Sequence, residues 1–427
     1  MADLRMLEQV LSDQKYEIER KARKRFVCRP EEKLIDLDSP QAQVLIGVRR
    51  CGKSTLCLNA LKNAGIKFGY VNFDDERLTE ITSSDLNDVL EVLYKINGDF
   101  EYLFIDEIQN ISEWYLFVNR LLRREMHLVI TGSNAKLLSG ELATHLTGRH
   151  KPITLYPFSF PEFCEWKNVE REGMATQLVA KRRAAFDEYM RQGGFPELLV
   201  ISDHRAYINS LIDNIVKRDI EHRFRISYKA SFEQMVQYLL NVSPCIVADK
   251  TLASTFKIKS IHTVQNYMKH MQEAFLVYEL QKFSYKSRLR VTSEKVYPID
   301  VAFMNNRENA FAADNLGARL ETIVYIELLR RYKPQGLDVF HYADRSSECD
   351  FVVCRERKVE MAVQVSYDIS NPKTRMREIN GLVSAAKNLK ASKLLLLTDH
   401  EYENIEGAGY KIAIRPTYEY LLTDNDL

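Results

Sequence analysis

The chain has 427 residues, too long for one ordinary core, so two to four domains are expected. Hydrophobic residues make up 45% and charged residues 28%, the balance of a soluble globular protein, and no apolar run approaches the ~18 residues that a membrane span needs. A net charge of +1 gives no global electrostatic case for nucleic acid, although a local basic face is compatible with it. The seven cysteines are odd in number and form no C-x-x-C pair, which argues against a disulfide framework and a zinc site. The first residues, Met1 to Arg5, lack the apolar core of a secretory signal. A reduced, cytoplasmic home is the expectation.

Residues 1–40 read as an N-terminal helical segment, with a charged helix from Leu7 to Arg25 and a loop closed by Ser39 and Pro40. Next comes an apolar strand, Val44 to Ile46, followed by G-x-x-x-x-G-K-[ST] over Gly47, Val48, Arg49, Arg50, Cys51, Gly52, Lys53 and Ser54, with Thr55 opening a helix-compatible stretch. Strand before and helix after is the context this phosphate-binding loop requires. The glycines permit a tight turn whose N–H groups face a phosphate, and the following helix points its positive end there. Lys53 would reach the β- and γ-phosphates of ATP, and the Ser54 hydroxyl would ligate Mg²⁺.

Phe68 to Phe73 is a further strand, and Tyr102 to Asp106 another that ends in two acids. Asp106 would hold the Mg²⁺ shell and Glu107 would polarise the attacking water. Two adjacent carboxylates can also merely cap a helix. His127 to Thr131 is apolar and then turns small and polar at Ser133 and Asn134. Ligands sit beyond the carboxyl ends of parallel strands, so Ser133 or Asn134 would lie beside the γ-phosphate and orient the water. Asn134 could equally serve as an N-cap for Ala135 to Leu138. Alternating strands and helices over residues 41–155 argue a parallel α/β sheet. Residues 156–235 read as mostly helical, interrupted at Pro157, Pro161 and the Gly193–Pro196 break, and extend the nucleotide domain to residue 235.

Residues 236–290 read as a winged helix-turn-helix. A short helix, Lys250 to Phe256, a turn, Lys257 to Ser260, and a longer helix, Ile261 to Glu273, precede an apolar strand, Ala274 to Tyr278, and a basic wing, Lys286 to Arg290. Lys257, Lys259, His262, Thr263, Gln265, Asn266 and Lys269 could touch phosphates and bases of DNA. A lid or an oligomer contact with a solvated face would have the same pattern. Residues 291–427 form a second α/β region. It runs through a helix, Leu316 to Arg331, strands at Val339–Tyr342, Cys349–Val353 and Met361–Ser366, a helix, Lys373–Leu389, and a strand, Lys393–Leu397.

The whole chain resembles a prokaryotic family of AAA+-like ATPases of unknown function, in which a P-loop domain is joined to a winged helix and a C-terminal PD-(D/E)xK nuclease-like domain. The matching residues are Gly47–Ser54, Phe104–Gln109, Thr131–Asn134, Leu146–Arg149 with Leu155–Phe163, Gly193–Glu197, Leu316 and Gly317 with Leu320 and Glu321, and Glu348–Phe351. The resemblance implies ATP hydrolysis. It also places the family's arginine on Arg149, where a cation could stabilise the transferring phosphoryl in cis or across a subunit boundary. In a nuclease fold of this type Asp350 would hold Mg²⁺ and the next strand would supply Glu-x-Lys. This chain has Gln364 and Ser366 there, and Glu321 cannot replace both, so a degenerate nuclease is expected.

The expected function is thus a Mg²⁺-dependent ATPase acting as a switch or motor, with DNA or a protein partner at the winged helix and homo-oligomers compatible with the pattern. An ATP-gated DNA nuclease, and an assembly protein that binds ATP with little turnover, stand as rivals.

Overall fold

The structure is a computed structural model that describes residues 3–24, 26–135, 146, 148–285, 294–305, 315–344 and 347–423. The expected basic wing, Lys286 to Arg290, lies outside the described residues, as does most of the stretch that Asn134 would cap. The chain divides into two compact units, residues 1–155 with 273–275, and residues 156–272 with 276–427. The border at 155 differs from the expected one at 235: the helical stretch after Leu155 packs with the C-terminal half.

The first unit is a five-stranded sheet. Its strands are β1 (Ala42–Ile46), β2 (Phe68–Asn72), β3 (Tyr102–Asp106), β4 (His127–Gly132) and β5 (His150–Thr154), in the order β2-β3-β4-β1-β5. Every pairing is parallel. Strands covered on both faces can be apolar throughout, and Val44, Leu45, Leu103, Phe104, Ile105 and Ile130 are accordingly buried. Helices α2 (Lys53–Asn63), α3 (Leu86–Asn97) and α4 (Trp114–Arg123) connect them. In α3 the buried Leu86, Val89, Leu90 and Leu93 fall on one helical face, and the helix stops at Gly98, φ 65°.

Helix α1 (Leu4–Ala22) is part of this unit, not a separate segment. It buries Leu7, Val10, Leu11, Gln14 and Ile18, an i, i+3, i+4, i+7, i+11 stripe. Its Gln14 amide serves the open edge of β2: Nε2 donates to the Asn72 carbonyl at 3.0 Å and Oε1 accepts from the Asn72 N–H at 2.9 Å.

The second unit begins with α5 (Phe160–Lys167), opened by a reciprocal capping box between Ser159 and Glu162. Pro161 sits in the first turn, where its missing N–H does no harm, so it starts a helix where the sequence suggested an interruption. Helices α6 (Thr176–Gln192), α7 (His204–Asn214) and α8 (Lys229–Val242) follow. The break after α6 has a specific partner: the Gly194 N–H donates to the buried Asp300 carboxylate at 3.0 Å.

A small antiparallel sheet, β6 (Cys245–Val247), β8 (Glu294–Pro298) and β7 (Val277–Leu280), flanks the helix pair α9 (Asp249–Thr255) and α10 (Ile261–Glu273). After α11 (Ala302–Asn305) and α12 (Leu316–Tyr332) comes a six-stranded mixed sheet. Its strands are β9 (Asp338–Ala343), β10 (Glu348–Arg355), β11 (Lys358–Val365), β12 (Lys393–Thr398), β13 (Glu403–Gly407) and β14 (Tyr410–Pro416), in the order β13-β14-β12-β11-β10-β9. Helix α13 (Pro372–Leu389) lays Leu382, Ala385, Ala386 and Leu389 on Val352, Ala362 and Leu396, and α14 (Thr417–Leu422) closes the described chain.

Candidate nucleotide site

Strand β1 delivers the chain to Gly47, whose φ is +155°. A Cβ there would stand 2.1 Å from the Leu155 carbonyl oxygen, so the loop can leave the sheet at this point only through glycine. The loop turns at Cys51, whose N–H donates to the Val48 carbonyl at 3.3 Å, and at Gly52, φ 103°, which caps α2. Lys53 and Ser54 open that helix, so its unsatisfied N–H groups face the loop. Lys53 is buried, with its ammonium donating to the carbonyls of Gly47 at 3.0 Å and Val48 at 3.1 Å. Arg49 pairs with Asp74 at 3.2 Å. Arg29, which the sequence reading missed, is buried and donates to the Cys51 carbonyl at 2.9 Å.

The acids stand opposite. Asp106 ends β3 and is buried; its Oδ1 accepts from the Ser54 hydroxyl at 2.8 Å and from the Thr131 hydroxyl, and its Oδ2 accepts from Tyr70 at 3.3 Å. Burial, reinforced by the neighbouring Glu107 carboxylate, raises the Asp106 pKa above the ordinary carboxylate value. Glu107 takes left-handed backbone angles, φ 54° and ψ 44°, with its N–H on the Thr131 hydroxyl at 3.1 Å and its carboxylate 3.9 Å from the Lys53 ammonium. A non-glycine residue in this region is uncommon, and such residues cluster at functional sites.

The strand order explains why these groups meet. Strand β4 lies between β3 and β1, so its carboxyl end falls between Asp106 and the P-loop. Ser133 and Asn134 follow that end, and both are buried. The site fits Mg²⁺ and a polyphosphate: a glycine-walled loop at a helix N-terminus, a hydroxyl already on a carboxylate, and a buried acid short of positive charge.

Arg149 stands apart from these groups. It is exposed, it precedes β5, and its carbonyl accepts from the Ala42 N–H at 2.9 Å, at the amino end of β1. The P-loop leaves the other end of that strand, roughly 16 Å away at ~3.3 Å per residue. This placement favours a role across a subunit boundary over one in cis.

The chain matches the AAA domain family over residues 39–164, and two domains of unknown function, DUF8612 over 183–314 and DUF4143 over 316–415. It is 32% identical over 404 residues to the uncharacterized protein MJ1544 of Methanocaldococcus jannaschii, covering 91% of this chain and 90% of that one. The chain belongs to the MJ1544 family. An uncharacterized protein of Haemophilus influenzae is 31% identical over 391 residues, 88% of this chain and 93% of that one. Among solved structures it is similar to the Walker-type ATPase paby2304 of Pyrococcus abyssi, with 14% identity, a TM-score of 0.41, and coverage of 66% of this chain and 95% of that one. The AAA-type domain carries a P-loop, and among the described residues no helix is long and apolar enough to cross a membrane.

Two further groups of sequence-selected residues lie in the second unit. On the α9–α10 pair, Lys257, Lys259, His262, Gln265, Asn266 and Lys269 are exposed and Thr263 is half-buried. The C-terminal residues line a cleft of about 1060 Å³. There Asp350 and Glu321 are joined by a cation the sequence did not reveal. The Lys295 ammonium, from β8, lies 2.6 Å from Glu321, 3.6 Å from Asp350 and 3.6 Å from Glu348. Burial works against this charge, yet the Glu321 and Asp350 carboxylates hold the lysine above its usual value.

Asp350 is buried, accepts from the Val365 N–H at 3.0 Å, and is pushed up to about 8 by burial and by Glu321. The Gln364 side-chain Oε1 accepts from the Asp350 N–H at 3.0 Å, and its Nε2 donates to Glu378 at 2.7 Å. Among the described residues no group of three or more His, Cys, Asp or Glu is arranged to hold a metal ion.

Proposed function

We propose that the protein is a Mg²⁺-dependent ATP hydrolase of the cytoplasm that works as a nucleotide-driven switch or motor. The observation that carries this reading is the convergence at the mouth of the P-loop: Ser54 on Asp106 at 2.8 Å, and Glu107 3.9 Å from Lys53. Ser54 and Asp106 would hold Mg²⁺, which neutralises phosphate charge when bound. Lys53 exchanges the loop carbonyls for the β- and γ-phosphates. Glu107 takes a proton from the attacking water, and Asn134 orients that water. Gly47 to Thr55 wrap the phosphates through backbone N–H groups. Arg149 acts, on this reading, only across a subunit boundary in a homo-oligomer.

The succession β6, α9, α10, β7, β8 around a three-stranded sheet supports a winged helix. Its exposed lysines suit DNA phosphates, and its His262, Thr263, Gln265 and Asn266 suit base edges. The same face could take a protein partner. The C-terminal sheet is read as a nuclease-like fold that has lost its metal chemistry: Gln364 presents an amide, and Lys295 fills the space between the acids.

The test is phosphate release with and without Mg²⁺, and with single- and double-stranded DNA. Lys53→Ala should lose ATP binding. Glu107→Gln should bind ATP and turn it over more slowly by about 10² or more. Wild-type turnover in Glu107→Gln would remove Glu107 from the reaction. ATP binding without measurable turnover in the wild type would favour the assembly reading, and DNA stimulation would favour nucleic acid over a protein partner.

A further inference from the structure

We propose that Gln109 is a positioning residue for hydrolysis, fixing the Glu107 carboxylate against the end of β4. The inference rests on the ATPase reading above. Glu107 leaves its strand at φ 54°, so the regular geometry of β3 does not aim its side chain. A glutamate has three side-chain torsions, and an untethered one would sample several rotamers. Two of the groups that hold it can be named. Lys53 lies 3.9 Å to one side, and that ammonium must turn away when phosphate arrives. Gln109 is the other, and its contacts do not involve the phosphate-binding lysine.

Gln109 sits in a single turn of 3₁₀ helix, Ile108–Asn110, that is closed and anchored through Asn110. The Asn110 N–H donates to the Glu107 carbonyl at 3.2 Å, and the Asn110 side-chain amide donates to the Phe73 carbonyl at 3.0 Å. From this base the Gln109 amide nitrogen donates to the Glu107 carboxylate and reaches the Ser133 hydroxyl at 3.4 Å. A carboxylate only accepts, so the nitrogen must be the end that faces it, and its second N–H is the one left for Ser133. One side chain thereby links the proposed base to the strand end beside the γ-phosphate. General-base efficiency depends on holding the base within hydrogen-bond reach of the water, and small displacements are expensive in rate.

The experiment measures kcat and ADP affinity in Gln109→Ala and Gln109→Glu, each alone and combined with Glu107→Gln. Gln109→Glu keeps the shape but sets a like charge against Glu107. Both single variants should lower kcat by about tenfold or more while ADP affinity stays within about threefold. In the Glu107→Gln background, Gln109→Ala should remove less than about twofold more, because its effect passes through Glu107. Unchanged or raised kcat, an equal loss in both backgrounds, or a parallel loss of ADP affinity and melting temperature would overturn the proposal. A wild-type protein without Mg²⁺-dependent phosphate release would overturn the ATPase reading and this one with it. A hydrolysing wild type with an unaffected Gln109→Ala would overturn this one alone.

Discussion

Gly47 is a residue whose environment admits no side chain. Its Cβ would lie 2.1 Å from the backbone oxygen of Leu155, the residue after β5, and that strand cannot retreat without losing its register with β1. Gly47→Ala should destabilise the first unit by about 1–3 kcal/mol, as overpacking of a close contact does. Denaturant unfolding checks this, and ADP affinity should fall with it because the same displacement opens the phosphate loop. Asp350 gives a pH prediction. Its folded pKa of about 8 stands above the ordinary carboxylate value of about 4, so between these pH values the folded state binds the extra proton. Stability from this group therefore falls as pH rises from about 4 to about 8. Asp350→Asn removes that slope while leaving Lys295 its Glu321 partner, so the variant should gain melting temperature relative to wild type on going from pH 5 to pH 8. A constant difference across that range would contradict the assignment.

Helix α1 and helix α10 differ as elements. The first is integral to its unit: it buries an apolar stripe and places Gln14 on the edge of β2. Leu11→Ala should remove about 2–5 kcal/mol, the usual range for emptying a core leucine site. Gln14→Ala should remove about 1–3 kcal/mol by leaving the Asn72 backbone groups unsatisfied. Helix α10 presents an exposed polar face, with Lys269 exposed on it and Lys259 exposed on the turn before it. Charge reversal at both lysines should leave the melting temperature nearly unchanged. If this face takes DNA, the same double variant weakens binding and flattens its salt dependence. Full affinity in that variant would direct attention to another surface.

At the scale of the whole molecule, Arg149 and the C-terminal cleft pose the questions that no single site answers. Arg149 sits at the end of β1 away from its own P-loop, so the proposed contribution would have to come from a second copy. Arg149→Ala alone should lower kcat more than ATP affinity, and mixing it with Glu107→Gln should restore activity by pairing an intact site with an intact arginine. Failure of the mixture to exceed the sum of its parts would end the trans reading. The cleft in the second unit should leave linear and circular DNA intact with Mg²⁺ or Mn²⁺, with or without ATP. Cleavage that vanishes in Asp350→Ala would make the protein an ATP-gated nuclease.

The sequence by itself determined the strands and helix that frame the phosphate loop, and the loop itself. Strand β1, the glycines, Lys53 and Ser54 are consecutive, and local apolar runs and turn residues mark them without reference to anything distant. Asp106 and Glu107 were legible for the same reason, as the abrupt polar end of a buried strand. Only the tertiary structure decided what surrounds them. That β4 lies between β3 and β1 is a fact of strand order, and it alone brings Thr131 to Asp106 and Ser133 to Gln109. The parallel pairing of β5 with β1 likewise sets Arg149 at the amino end of β1, away from the P-loop, although Arg149 is close in sequence to Asn134. Lys295 shows the same limit: it is 26 residues from Glu321 and 55 from Asp350, on a strand of a different sheet, and only folding makes it the cation between them. Periodicity and turn chemistry act over a few residues, whereas a buried charge is satisfied by whatever the packing brings within a few ångströms.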